Sequence, residues 1–159
     1  MPERYVSLVR ETSEYDSNSG QVHFLYFPIQ LRTVKAYNFA NGDIVTIQIS
    51  RILEANEGGS VYGGKYRSYT SGFRVVRGVD KEYDFSVFSY TNTIGGEIFG
   101  LRVSEEFKRE VGARENDHLD FRLLKLKKKA ENEIIDIYSG SERKGDMPFN
   151  FKDKEVQEN

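Results

Sequence analysis

The stretch Ile98–Leu126, IFGLRVSEEFKREVGARENDHLDFRLLKL, decides the fold. It reads as strand, short capped helix, polar turn and strand. Ile98 to Val103 is apolar enough for a buried strand. Ser104 then makes a good N-cap, because its hydroxyl accepts an amide that the first helical turn leaves without a partner. Glu105 and Glu106 stand where the helix dipole favours negative charge. Phe107 and Val111, four apart, share one face, while Lys108 and Arg109 point away from it. Gly112 can take the left-handed conformation that ends a helix. Glu115-Asn116-Asp117 is turn chemistry. After it, Leu119, Phe121 and Leu123 alternate with Asp120 and Arg122, the two-residue period of a half-buried strand.

The same grammar occurs earlier, at Val22–Leu53, VHFLYFPIQLRTVKAYNFANGDIVTIQISRIL. A strand runs to Phe27, and Pro28 stands where Ser104 stood. Leu31 and Val34 give a short helical face, with Arg32 and Lys35 turned outward. Asn41-Gly42-Asp43 makes the turn, and Val45, Ile47 and Ile49 alternate with Thr46, Gln48 and Ser50. A repeated unit dictates the architecture. Read this way, the two copies are a divergent duplication, the first longer than the second between cap and turn aspartate.

This order of cap, short helix, Gly-Asp or Asn-Asp turn and strand resembles the half-barrel of the AbrB/SpoVT-type swapped-hairpin proteins. Pro28, Arg32 and Asn41-Gly42-Asp43 match that pattern in the first copy. Ser104, Lys108 and Asp117 match it in the second, with Ser in place of Pro and Asn in place of Gly. The resemblance implies a mostly β pseudo-twofold barrel of about seven or eight strands with two short helices. It also implies a superfamily whose usual work is DNA binding; the plant-type B3 domain is a similar pseudo-barrel carried on one chain.

Composition agrees with a single domain plus a tail. The chain has 159 residues, 38% of them hydrophobic, and its 11 Phe and 10 Tyr can fill a barrel core. With no cysteine, a disulfide framework and a thiolate metal site are excluded. The expected compartment is the cytoplasm, since no signal peptide or membrane span is legible. At a net charge of −2, phosphate binding requires a local basic face rather than the field of the whole molecule.

Outward from the two repeats, Arg4–Arg10 reads as a first strand and Thr12–Gly20 as a polar loop. Ser60–Tyr69, Phe73–Arg77 and Tyr83–Thr91 read as strands of an insert spanning 60–95. Lys125–Lys129 is the one dense basic run, and Glu133–Tyr138 a last edge strand. The expected domain is residues 1–138, with half-barrel elements at 22–53 and 98–126, and residues 139–159 form a flexible tail.

Two sets of residues carry the functional expectation. The insert interleaves cations with tyrosines: Tyr62, Lys65, Tyr66, Arg67, Tyr69, Arg74 and Arg77. Such cations can neutralise phosphates, and arginines can read guanine edges. The helices add Arg32 and Lys35 in one copy and Lys108 and Arg109 in the other, a two-lobed grip on a duplex. The bland alternative is a solvated charged face, with Glu105 pairing along its helix. Asp43 and Asp117 read as turn caps. No P-loop, nucleophile elbow or dinucleotide fingerprint is present, and His23 and His118 have no metal-site spacing. The expectation is a non-enzymatic protein that binds double-stranded DNA, sequence-specifically or architecturally, as a transcriptional regulator or DNA-recognition module without a cofactor. A homodimer or a protein partner held by the tail is compatible with it, and a protein-interaction barrel is the alternative.

Overall fold

The computed structural model describes residues 4–18, 20–56, 64–65, 72–91 and 94–137. Among the described residues nine strands and two helices follow one another: β1 (Arg4–Leu8), β2 (Arg10–Asp16), β3 (Gly20–Ile29), α1 (Leu31–Tyr37), β4 (Ile44–Ala55), β5 (Gly64–Lys65), β6 (Phe73–Thr91), β7 (Glu97–Arg102), α2 (Glu105–Val111), β8 (His118–Lys127) and β9 (Ile134–Asp136). The strands make one antiparallel sheet in the order β2-β3-β7-β6-β4-β8-β1-β5, with β9 on β8. The mostly β class is as expected. The sheet is not closed into a barrel.

The two repeats superpose in number more closely than their sequences suggest. Helix caps Gln30 and Ser104, left-handed C-caps Asn38 and Gly112, and turn aspartates Asp43 and Asp117 are each 74 positions apart. The first copy is therefore not longer. Gln30, not Pro28, takes the place of Ser104, although its side chain makes no capping bond. Pro28 lies inside β3, where the β2 ladder has already ended at Tyr26, so its missing N–H loses no rung on that side.

Pairing follows the same rule. Phe27 pairs with Leu101 across β3 and β7, and Gln48 with Arg122 across β4 and β8. Each pair is itself 74 apart, so each residue faces its own counterpart and the strands of each pair are related locally by an approximate two-fold rotation. The relation extends outward: Tyr83 of β6 pairs with Ile47, and Tyr5 of β1 pairs with Phe121, the counterpart of Ile47. The second half of β6 thus does for the first repeat what β1 and β2 do for the second. It is a structural mate rather than part of an insert.

Other boundaries differ from the sequence reading. The polar stretch after Thr12 is mostly strand, because β3 offers it a full ladder from Arg10↔Tyr26 to Asp16↔Gly20. Phe73–Arg77 and Tyr83–Thr91 are one strand, carried past Asp80 at a φ of 47° with register shifts opposite β4. Leu31 is exposed, and Thr33 with Val34 forms the buried face of α1. The calls on Tyr138 and on residues 139–159 fall outside the described residues.

One face of the sheet holds the core. Phe27 lies 5.0 Å from Phe121 and 5.9 Å from Phe85, ring centre to ring centre. Helix α2 inserts Phe107 beside Phe85 (5.5 Å) and Tyr83 (4.8 Å). Burying a phenylalanine so fully stabilises the fold by roughly 1.5–3 kcal/mol. The Ser104 hydroxyl accepts from the Phe107 amide at 3.2 Å, so the cap also sets the depth of that ring.

Candidate nucleic-acid interface

Both helices are short because each is stopped by a left-handed residue, Asn38 at φ 54° and Gly112 at φ 72°. Each then leads into a turn in which an aspartate accepts the amide three residues before it: Ala40 to Asp43 at 2.9 Å and Arg114 to Asp117 at 3.1 Å. The turn-cap role expected of both aspartates is what the structure shows. A cation also reaches each helix C-terminus, where unpaired carbonyls carry partial negative charge. Lys128 Nζ donates to the Asn38 carbonyl, and Arg77 Nη1 to the Val111 carbonyl.

The helices hold four of the expected cations in water. Arg32 and Lys35 on α1, and Lys108 and Arg109 on α2, are exposed, and none enters an ion pair among the described residues. Lys35 and Arg109 are 74 apart and hence counterparts. Arg32 corresponds to Glu106, and Lys108 to the buried Val34, so only one of the pairs is symmetric.

The insert cations divide differently. Arg74 pairs with Glu54 at 2.8 Å on the exposed ladder between β4 and β6. Arg77 is committed to the end of α2. Lys65 pairs with Tyr5 as part of β5, and Arg67, Tyr62, Tyr66 and Tyr69 lie outside the described residues. The basic run also splits. Lys125 and Lys127 are exposed, whereas Lys128 is buried against Asp43 at 2.7 Å and the Lys129 amide donates to the same carboxylate at 2.9 Å. Burial alone would raise the Asp43 pKa; the hydrogen bonds from Lys128, Lys129 and Ala40 outweigh it and hold the carboxyl below its ordinary value.

A second polar cluster ties β6 to α2. Lys81 Nζ and the Tyr83 hydroxyl both donate to Glu110, at 2.8 and 2.9 Å. Burial, and then the neighbouring Glu110 carboxylate, push the Tyr83 phenol up to about 12. The hydrogen bonds from Lys81 and Tyr83 in turn lower Glu110. Beside it a cleft of about 500 Å³ sets Glu82, Asp84 and Glu106 against Lys125 and Lys127, a wall of mixed charge. Among the described residues no three His, Asp or Glu side chains converge as metal ligands.

Sequence alternation misplaced one group altogether. Alternation in a half-buried β8 would put Asp120 and Arg122 on the solvent side, yet both are fully buried. Arg4 Nε donates to Asp120 Oδ1 at 3.2 Å and Arg4 Nη2 to Oδ2, while Arg51 Nε donates to Oδ2 at 2.9 Å. Burial lowers the Arg4 pKa to about 10, opposed by Asp120 and reinforced by Arg122 and Arg51. The polar face of β8 is thus a second interior, and period-two alternation does not say whether a polar face meets water.

Comparison of the chain with protein-family models, curated proteins and solved structures finds no match. No helix among the described residues is long and apolar enough to cross a membrane.

Proposed function

We propose that the chain is a duplicated half-barrel that binds double-stranded DNA, with the two counterpart helices set against the phosphate backbone. The observation that carries this reading is the pair Lys35 and Arg109: counterpart positions, both exposed, both without an ion-pair partner among the described residues. A duplex has a local two-fold axis, and a protein with the same symmetry can meet both strands with equivalent side chains. Arg32 and Lys108 extend the cationic surface on either side. Closure into a pseudo-barrel belongs to the same proposal. β1 and β2 lie far apart in the sheet order, yet only Val9 separates them in sequence, and its backbone bonds both ways to the 116–117 turn. The corresponding backbone of Val87 bonds to Gly42 and Asp43 in the same manner, within an unbroken β6. The AbrB/SpoVT-like half-barrel accounts for these features, and Arg74 and Arg77 read no base edges in this proposal because each already has a structural partner.

The test is retention of a random-sequence duplex at low and at physiological salt, for the wild-type chain and for Lys35→Glu/Arg109→Glu. Binding should weaken steeply with salt, and the double variant should lose most of it. Neutral Lys35→Gln/Arg109→Gln should flatten the log–log salt slope by about 2, roughly 0.9 for each phosphate contact removed. No retention at low salt sinks the reading. Attention would then pass to a protein-interaction barrel, for which Leu31 and Ile94, 54% and 89% exposed, are the natural starting points.

A further inference from the structure

A second aromatic cluster lies on the outer face of β3, β7 and β6, and none of its four rings belongs to the main core. Phe24 and Tyr26 of β3 form a buried floor. Above them on β6, Phe88 is half-buried and Tyr90 is 37% exposed. The planes of Phe88 and Tyr90 are within 17° of parallel at 5.8 Å, and Tyr26 meets them edge-on at 5.2 and 5.9 Å. On β7, Ile98 faces Tyr90 and Arg102 faces Tyr26, and the residue between them on that face is a glycine. Gly100 stands opposite Phe88 in the ladder, and a Cβ there would lie 2.9 Å from Tyr26 Cδ2 and 3.2 Å from Phe88 Cε1. The glycine therefore leaves room for rings from β3 and β6 to meet across β7. A hydrogen bond of 3.0 Å between the Tyr26 and Tyr90 hydroxyls fixes the upper ring on the lower.

Charge complements this surface. Both ladder neighbours of Tyr26 are arginines, Arg10 on β2 and Arg102 on β7, and the Arg102 guanidinium lies 4.2 Å from the centre of Phe24. We propose that this face is a stacking site for single-stranded nucleic acid, with a base laid on Tyr90, the outer ring of the Phe88–Tyr90 stack, and the backbone tracked by Arg10 and Arg102. Pre-ordered rings of matched tilt lower the entropy lost on binding, and a free strand, unlike a duplex, has base faces to offer. The platform is distinct from the helix cations, and the inference does not rest on the duplex reading.

The experiment is fluorescence anisotropy of the full chain with labelled oligodeoxythymidine of about 12 nucleotides, within the site sizes of such platforms. Quenching of tyrosine emission, in a protein with no tryptophan, is the second readout. Tyr90→Leu should weaken binding about ten-fold, the loss of one stacked base. Arg10→Ala should reduce the log–log salt slope by about 0.7, the value for one phosphate contact on a single strand. Val76→Ser, which removes an exposed apolar side chain elsewhere on β6, should change nothing. If Tyr90→Leu fails to fold by circular dichroism, Arg10→Glu at an exposed position carries the test. The proposal is overturned by absence of binding at low salt, or by affinity indifferent to both platform variants. It is equally overturned if single-strand affinity disappears in Lys35→Glu/Arg109→Glu, because the strand would then sit on the helices.

Discussion

The turns after the two helices share one backbone and one docking pattern, and differ in the surroundings of their aspartates. In both, a left-handed residue ends the helix, a second positive φ follows at Gly42 or Asn116, and an aspartate closes the turn. Both dock on a neighbouring strand through the same two bonds: Gly42 N to Val87 O with Val87 N to Asp43 O, and Asn116 N to Val9 O with Val9 N to Asp117 O, all at 2.7–2.9 Å. The first turn buries its aspartate. Asp43 is 1% exposed and holds Lys128 Nζ and the Lys129 amide besides its own turn. In the second turn the aspartate is half-exposed, and among the described residues the Asp117 side chain accepts only the Arg114 amide. One backbone solution is therefore reinforced by a buried ion pair in one half and, in the other, by a solvated aspartate cap and an exposed bond from the Glu11 amide to Glu115.

The largest expected effect follows from that difference. Asp43→Ala leaves the Lys128 ammonium buried without its anion, and Lys128→Met does the converse while also freeing the Asn38 carbonyl. Each should lower stability by about 3–5 kcal/mol in urea unfolding, the usual result of breaking a buried pair from one side. Asp117→Ala removes one solvated cap and should cost about 1 kcal/mol. A double-mutant cycle on Asp43 and Lys128 would show whether the buried pair is coupled. Equal losses at Asp43 and Asp117 would break the comparison, because burial would then count for nothing.

Acid should separate the halves next. His118 opens β8 at the position that Ile44 holds at the start of β4, and it is buried beneath Phe73 at 4.7 Å between ring centres. Burial lowers its pKa from 6.5 to about 4. The folded state therefore binds fewer protons than the unfolded chain between those values. The stability His118 contributes is complete above pH 6.5 and is lost as pH falls toward 4, by at most about 3 kcal/mol. Asp43 acts in a lower window. Its depressed carboxyl contributes stability above its ordinary pKa of 3.8, lost only as pH falls through its lower folded value. Urea midpoints across pH 7 to 3 should thus decline in two stages. His118→Ile, borrowing the residue of the other half, should flatten the upper stage and leave the lower; an unchanged slope in that variant between pH 6.5 and 4 would show that His118 takes up its proton alike in the folded and unfolded states.

How much of this could be read in advance divides along the same line. Ser104, Gly112 and the Asn-Gly-Asp turn act through their own backbone neighbourhood, so spacing and residue type were enough to place α2 and both turns. Gln30 has no capping bond, and Pro28 beside it looked like the cap; the equal spacing of the repeats emerges only from the strand pairing. That misalignment hid the equivalence of Lys35 and Arg109, the strongest feature of the candidate site. Arg77 and Lys128 looked like free cations because the carbonyls they cap are 34 and 90 positions away in sequence. The aromatic platform left a local trace, Phe24-x-Tyr26 and Phe88-x-Tyr90, but only the ladder reveals that Gly100 lies between them.

The smallest effect tests the backbone that the two turns share. Gly112 stands at φ 72° with the nearest foreign atom, Arg77 Nη1, 3.5 Å from where a Cβ would lie, an ordinary contact. Gly112→Ala should therefore cost only the left-handed strain, about 1–2 kcal/mol. Asn38 already tolerates φ 54° with a side chain, and Asn38→Gly should gain a few tenths of a kcal/mol at most, relieved strain being offset by the added freedom of the unfolded chain. Gly112→Asn should fall between the two, since asparagine visits this region more readily than alanine. Thermal midpoints ordered Asn38→Gly, wild type, Gly112→Asn, Gly112→Ala would mean that both helices end by one conformational rule. If Gly112→Ala were instead far more damaging than its φ explains, the Arg77 cap would be the cause, and removing that guanidinium with Arg77→Met should reproduce the excess without touching the glycine.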